Sequence, residues 1–519
     1  VCKKNENCVV EKGGRMTTQL LTERYADSIA GVIGSYDRIV ISGNLQPLCY
    51  AQGMTSYLYR QGLRIFDYGE FVKPLRQAIR ENAERIAEQN GVAIHFISRS
   101  QEVRKEAYVQ KIVAERGNQP GLVCILSAME ACKVYQPWHD KGSGKTYVRM
   151  TDGKCLHYYF YFIDEMLGLC YLRVPTWVPF RLQFYCNGHN LLSRRLQAAG
   201  IAYQSMDNAL IEIADFAQAN RLAADWQVKQ LHDKLDEFAR TYCPVVEQLQ
   251  LHYNWTLMQV EYATDIVFKE QTVLQSFYAH LVERLIQTVK PVDIATFLGR
   301  KLHSNYEGEM GNRFNQRWLG TRLKHQMGPV TLKLYDKFSL VLRIEVTVND
   351  VTFFNQRREV THRDGTTSLE WTLMQKSIYS LPALQEALQA VNQRYLKAIS
   401  EIDTPQLGVQ KLNQLTQTLL EGNHRYKGFH LLTEEDASLF RLLLAGDFAI
   451  RGLTNAQLRA RLNGKSSAQI SHLLKRLRLH GLLTKVSHSY RYYLSDFGRQ
   501  VAALVLTLHS SVCIPLLAR

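Results

Sequence analysis

From Tyr36 onward the apolar positions keep two rhythms in turn. Tyr36 to Ile41, 92–97 and 122–126 are short apolar runs rich in β-branched residues, which predict strands. Between them, 51–61, 71–89 and 101–116 place apolar residues at the helical period. Strand and helix alternating at this spacing predict an α/β layer with some parallel strands. Further on, 155–163 and 169–174 flank Asp164-Glu165-Met166-Leu167-Gly168 as a hairpin, 180–186 reads as another strand, and 189–199 as a helix. Residues 214–250 read as mainly helical, 288–302 as a small helical element and 313–361 as strands again. A long amphipathic helical stretch, 382–420, is broken near Asp403-Thr404-Pro405.

The last segment has the clearest helix signals. Thr454 caps a short helix through Leu462, Asn463-Gly464 turns the chain, and a second helix runs from near Ser466 to Gly481, a residue suited to a left-handed C-cap. In that helix Ile470, Leu473, Leu474 and Leu477 form one apolar stripe, leaving Ala468, Ser471, His472 and Lys475 opposite. Two short alternating runs, 482–486 and 490–494, then flank Ser487-His488-Ser489. A final helix spans 500–508.

Charge sharpens this picture. Between Arg451 and Arg491 the chain carries Arg451, Arg459, Arg461, Lys465, Lys475, Arg476, Arg478, Lys485 and Arg491 with no Asp or Glu. Like charges repel, so a one-sign block calls for an external anion. The segment resembles the winged-helix domains of MarR-type regulators, down to the closing Leu494-Ser495-Asp496-Phe497-Gly498-Arg499 turn. That resemblance implies that Ser471, His472 and Lys475 face bases. Arg459, Arg461, Lys465, Arg476, Lys485 and Arg491 would complete the DNA contact, with the wing tracking the backbone.

At 519 residues the chain exceeds a single core. The expected fold class is α/β, multidomain and mixed α+β, with a C-terminal winged helix-turn-helix domain. The expected division is an extension over 1–15, an α/β domain over 16–225, a mainly helical connector over 226–300, a β-rich module over 301–365, a helical linker over 366–430 and the winged helix over 431–519. Glu11-Lys12-Gly13-Gly14 before Met16 reads like a translated ribosome-binding stretch, which makes Met16 the expected start.

Lys and Arg number 63 against 48 Asp and Glu, a formal +15 that favours nucleic acid over acidic small substrates. DNA is the expected partner, with RNA as the alternative. No apolar run reaches membrane-spanning length and no signal-peptide core precedes the fold, so a cytoplasmic protein is expected. The ten cysteines form no Cys-x-x-Cys pair, which suits reduced thiols. Cys155 with His157 and Cys186 with His189 could supply four zinc ligands, although Cys and His are ordinary on half-buried strands.

A second constellation lies at the centre of the chain. In Thr331-Leu-Lys333-Leu-Tyr335-Asp336-Lys337 and Val341-Leu-Arg343-Ile-Glu345-Val, alternation puts Lys333, Tyr335 and Lys337 on one face and Arg343 with Glu345 on one face of the neighbour. Phe338-Ser339 would close the hairpin. A phenol among cations loses its proton more easily, and a carboxylate there can hold a metal that polarises a phosphodiester. The order Gly320-Thr-Arg322, Lys333-x-Tyr335-Asp336-Lys337, Leu342-Arg343-x-Glu345 resembles the core of rolling-circle replication initiators of plasmids and filamentous phages. The resemblance implies Tyr335 as nucleophile, Glu345 and Asp336 as ligands of Mg2+ or Mn2+, and Lys337 and Arg343 as phosphate holders. The histidine pair typical of many such enzymes is missing from the sequence.

Two smaller groups complete the candidates. Asp37 opens the first strand and could act with Asp164 or Glu165 as a nuclease-type carboxylate, although a strand-edge Asp is as readily a turn residue. His303, Arg313, Arg317, Arg322, Lys324 and His325, with Tyr306 and Trp318 among them, form an aromatic and cationic stretch suited to single strands. The expected function is therefore a DNA-binding protein of a mobile element or replicon that nicks or processes DNA. The alternative is a non-enzymatic winged-helix regulator or replicon-binding protein.

Overall fold

A computed structural model describes residues 19–98, 104–302, 306, 308–317, 320–402, 405–422, 424–445, 448, 452–462, 464–486 and 489–518. Residues 1–18, His303, Glu307, Trp318, Arg451, Asn463, Ser487 and His488 lie outside that set. The chain divides into two compact units, Val1–Asp403 and Thr404–Arg519.

The first unit is mixed α/β, built on one eleven-stranded sheet. Its strands are β1 (Ile29–Asn44), β2 (Ile94–Phe96), β3 (Gly121–Asp140), β4 (Lys145–Asp164), β5 (Gly168–Pro175), β6 (Leu182–Asn187), β9 (Asn254–Phe268), β10 (Met310–Arg317), β11 (Gly320–Met327), β12 (Val330–Lys337) and β13 (Val341–Val348). A separate hairpin, β7 (Tyr203–Met206) and β8 (Ala209–Ile213), lies between β6 and β9 in the chain. The spatial order is β10-β11-β12-β13-β9-β1-β6-β5-β4-β3-β2. Only β2 and β3 pair in parallel among the described strands.

This topology corrects the expected division. Strands assigned to separate modules, 16–225 and 301–365, hydrogen-bond into one sheet, and the expected helical connector contains β9, which pairs with both β1 and β13. β9 was missed because central strands are covered on both faces, which blurs the period-two signal.

One face of this region packs against the helices Gln271–Thr288 and Leu381–Ile402. In the second, Leu381, Leu384, Leu388, Val391, Tyr395 and Ile399 recur at the helical period and are buried. On the opposite face Ile33 packs with Leu192 and Leu196 of the helix Gly188–Ala198, with β8 and with the helix Phe216–Ala224. Both layers are needed: all eight residues of β13 are buried, including Arg343 and Glu345.

A charged network also ties β3 to β4. Glu130 accepts hydrogen bonds from Lys105 Nζ (2.7 Å), Tyr159 Oη (2.7 Å) and Arg173 Nη2 (2.7 Å). Burial alone pushes its carboxyl up, but these partners outweigh burial and hold it at about 2. A depressed folded value means stability present above about pH 4.5 and lost as pH falls towards 2. Urea midpoints of the parent and Glu130→Gln should differ most at neutral pH and converge in acid.

The second unit has its own core, from Leu415 and Phe429 through Phe440, Leu458, Ile470, Leu474 and Leu477 to Leu494 and Val505. Helices Glu434–Leu443, Asn455–Arg461 and Ser467–Leu479 are followed by paired strands Leu483–Lys485 and Tyr492–Leu494, then the helix Asp496–Thr507. Thr454 and Ser466 each cap their helix through a reciprocal box with Gln457 and Gln469. The helical run continues to Leu517, and Asp496–Leu517 is long and apolar enough, by length and composition, to cross a membrane. The sequence expectation missed it because Thr507, His509, Ser510 and Ser511 interrupt the apolar run without adding formal charge at neutral pH.

Candidate functional site

The β12–β13 hairpin places Lys333, Tyr335, Lys337, Arg343 and Glu345 on a single face. Its register sets Lys333 opposite Glu345 and Tyr335 opposite Arg343, around a turn whose Phe338 and Ser339 both take positive φ (58° and 57°). Across the next ladder Arg343 faces Asp265 and Thr347 faces Glu261. On β1 the pairing with β9 slips between Tyr36 and Arg38, so Asp37 is the extra residue of a bulge. Bulges re-aim a side chain out of the regular alternation, and here Asp37 reaches the same cluster.

Arg343 is fully buried and is the hub. Its Nε and Nη2 each donate to Asp265 at 2.6 Å, Nη1 donates to Asp37 at 3.4 Å, and Nη2 also donates to the Asn208 carbonyl at 2.7 Å. Burial would lower its pKa, but Asp265 and Asp37 raise it instead. With its donors spent internally, Arg343 is not the phosphate holder that the resemblance implied. It fixes acids.

Glu345 sits between Lys333 Nζ and Tyr335 Oη, the latter at 2.5 Å. Burial pushes its carboxyl up, and Lys333 more than offsets this, leaving it below the ordinary range. Lys333 also reaches Glu261 (3.2 Å), which Thr347 Oγ1 (3.0 Å) and Arg38 (3.7 Å) hold as well. The expectation of an easily ionised Tyr335 is reversed. Burial first and Glu345 second push its pKa up, because a buried phenolate beside a carboxylate is costly. Lys337 bonds the Asn208 side chain and lies 3.5 Å from Asp207, with burial and Arg343 lowering its pKa.

Asp336 does not join this group. Strand alternation sends it to the other face of β12, where burial raises its carboxyl and Oδ1 lacks a hydrogen-bond partner among the described residues. The metal-capable group is instead Asp37, Glu261 and Glu345, whose oxygens lie within 4.8 Å of one another. Three carboxylates are a hard donor set that fits Mg2+ or Mn2+, provided that the Lys333 ammonium between Glu261 and Glu345 gives way. Asp37 thus meets Glu261 and Glu345, not Asp164, whose carboxylate caps its own turn and pairs with Lys234 at 2.7 Å.

A cleft of about 910 Å3 lies against the cluster, with Arg38, Asn187, His189 and Asn208 on its wall. Each of the four touches the carboxylates or Arg343. Asn187 and Asn208 donate to Asp37 at 3.3 and 3.1 Å, and His189 Nε2 lies 3.6 Å from Asp37 Oδ1 and 3.4 Å from Arg343 Nη2. His189 is held by Ser35 (3.2 Å) at the start of the helix Gly188–Ala198, and burial and Arg343 lower its pKa, so the ring is neutral. The helix can approach because Gly188 has no Cβ: one there would lie 2.0 Å from the Tyr36 carbonyl. His189 is therefore occupied here, and Cys186 is in the hydrophobic core, which separates them from Cys155 and His157 as zinc ligands. The sequence signal for His189 was the Asn187-Gly188-His189 step from strand to helix cap. Asp265 and Glu261 carried none.

The register also aligns Arg313, Lys324 and Lys333 in one row across β10, β11 and β12, leading to Glu345. Arg322 shares that face by alternation, two residues from Lys324. Of the expected aromatic partners, Trp318 is outside the described residues, and His325 is buried between Asn312 (2.6 Å) and Tyr395 (2.8 Å).

In the second unit the basic block is less one-sided than its sequence. Lys475 pairs with Glu421 at 2.6 Å, Arg476 with Asp436 at 3.8 Å and Lys465 with Glu435 at 3.9 Å, all acids that precede the block in the chain. Arg476 also donates to the Lys427 and Gly428 carbonyls, so it is a structural residue rather than a free DNA contact. His472 stacks on Tyr426 (4.6 Å between centroids) and Ser471 Oγ accepts from Asn455 (2.7 Å), though both remain exposed. Arg459, Arg461, Lys485 and Arg491 are exposed.

No family model matches the chain, and no curated protein matches it. Among solved structures the chain is similar to a rolling circle replication initiator protein from Geobacillus stearothermophilus, at 10% identity over 69% of this chain and 97% of that one. The TM-score is 0.20, too low for the two folds to be superposed as one.

Proposed function

We propose that the protein binds DNA of a replicon or mobile element through its second unit and acts on the phosphodiester at the carboxylate cluster of the first. The observation that carries the nucleic-acid reading is the division of charge. Residues 404–519 hold fifteen Lys and Arg against six Asp and Glu, so nine of the fifteen excess positive charges sit in about a fifth of the chain. Arg441, Lys465, Lys475, Arg476 and Arg499 pair with acids within the unit, and the net excess of nine positive charges suits a polyanion. The helix–helix–hairpin–helix order supports a winged-helix mode, with Arg459, Arg461, Lys485 and Arg491 on phosphates and Ser471 and His472 near base edges.

At the cluster, a divalent ion held by Asp37, Glu261 and Glu345 would supply Lewis-acid activation of a phosphodiester and of water. The chain's own residues set the stage for it. Tyr335 orients Glu345 once Lys333 has given way, Arg343 orients Asp37 and Asp265, and neutral His189 on the cleft wall can accept a proton at Nε2. Arg38, and the cationic row from Arg313 to Lys333, suit the strand's phosphates. Water is the nucleophile in this mechanism, and Tyr335 is a positioning residue.

The test is cleavage of supercoiled and single-stranded DNA with Mg2+ or Mn2+. Asp37→Asn and Glu261→Gln should each reduce nicking about a hundredfold or more, and Tyr335→Phe about tenfold without any covalent adduct in the parent. A tyrosyl adduct lost in Tyr335→Phe would replace water with Tyr335. A second reading, a non-enzymatic regulator, is favoured by one observation: Lys333 and Arg343 already neutralise the cluster from within. No nicking by the parent, alongside salt-dependent DNA binding, would establish that reading instead.

A further inference from the structure

β3 and β4 pair along their whole length, but β5 meets β4 only from His157 to Asp164, and β2 meets β3 only from Ile125 to Ser127. Residues 129–156 therefore extend as a two-stranded arm. One face of the arm is covered: Tyr135 and Val148 are buried, Thr55 Oγ1 accepts from the Val148 amide (3.2 Å) and Tyr59 Oη donates to the Thr146 carbonyl (3.2 Å).

The other face carries the pairs Gln136 with Arg149, Trp138 with Tyr147 and Asp140 with Lys145. Trp138 is 40% and Tyr147 37% exposed, and the Arg149 guanidinium lies 3.7 Å over the Trp138 ring. From Ala131 to Lys154 the arm has five cations and two acids, and both acids are engaged. Asp152 pairs with Lys133 at 2.6 Å, while Asp140 holds the tip through Gly142 N (3.1 Å) and Ser143 Oγ (2.5 Å). Lys141, Lys145 and Arg149 are exposed around the two rings.

We infer that this face binds single-stranded nucleic acid, with unstacked bases on Trp138 and Tyr147 and phosphates on Lys141, Lys145 and Arg149. Aromatic rings ringed by cations are the means by which proteins hold single strands without reading sequence. A protein partner suits the face less, because it presents no Leu, Ile or Phe and its rings are bordered by Gln136, Lys145 and Thr151. The identity of the partner rests on the DNA-binding reading, but neither the second unit nor the carboxylate cluster is needed for it.

The test uses the full chain and two fluorescent probes, an oligodeoxythymidylate and a duplex of equal length. Trp138→Ala with Tyr147→Ala should weaken single-strand binding about 10- to 100-fold and leave duplex binding unchanged, while Trp138→Phe with Tyr147→Phe should bind as the parent does. Replacing Lys141, Lys145 and Arg149 with Gln should flatten the single-strand salt slope by about 2. Unchanged single-strand affinity in the double Ala variant, with duplex binding intact, would overturn the arm alone. Absence of binding to either probe by the parent would overturn the DNA-binding reading as well. Self-association of the parent that the Ala variant abolishes would assign the face to a second copy of the chain and overturn the inference.

Discussion

Arg343→Met should lower the unfolding free energy of the first unit by about 3–5 kcal/mol, read as a fall in the urea midpoint by circular dichroism. The size follows from what is left behind. Asp265 and Asp37, 1% and 6% exposed, would keep their carboxylates in the interior without the guanidinium that bonds both. A buried charge without its partner costs far more than a buried pair contributes, so truncating Asp265 together with Arg343 should recover part of the loss. The double variant Asp265→Asn with Arg343→Met tests that coupling. A loss below about 1 kcal/mol in the single variant would mean that water reaches the site and that Arg343 is not the hub described.

The second large effect belongs to DNA binding. Replacing Arg459, Arg461, Lys485 and Arg491 together with Ala should weaken duplex binding about a hundred- to a thousandfold near 0.1 M salt and flatten the salt slope by about 3–4. Each phosphate contact releases counterions, so the slope counts contacts independently of sequence. Lys475→Ala with Arg476→Ala is the informative contrast. Those side chains spend their charge on Glu421, Asp436 and two carbonyls, so their loss should loosen the unit and barely move the slope. An unaltered slope in the fourfold variant would place the DNA contact elsewhere.

The parts legible in the sequence are those governed by local periodicity. The β12–β13 hairpin, the shared face of Lys333, Tyr335, Arg343 and Glu345, and the capped helices after Thr454 and Ser466 all follow from spacing within about twenty residues. What spacing cannot carry is which distant strands meet. β9 joins the two halves of the sheet, and its Glu261 and Asp265 look like any polar residues on a strand until β1 and β13 flank them. Asp37 needed a bulge to enter the cluster, and a bulge leaves no mark on composition. Burial had the same hidden effect on Tyr335: the nearby cations were visible, but the loss of water around the phenol was not. The acids that offset Lys465, Lys475 and Arg476 lie 15 to 30 residues before the window in which the basic block was counted.

The carboxylates stand on neighbouring strands of the sheet yet are spread from Asp37 to Glu345 along the chain. A growing polypeptide on the ribosome can therefore fold its early strands long before it owns a cluster, because β13, which supplies both Glu345 and Arg343, emerges last of the three strands involved. Any chemistry seated there is switched on only by near-complete synthesis of the first unit, and chains that stop short of Val348 would be inert fragments.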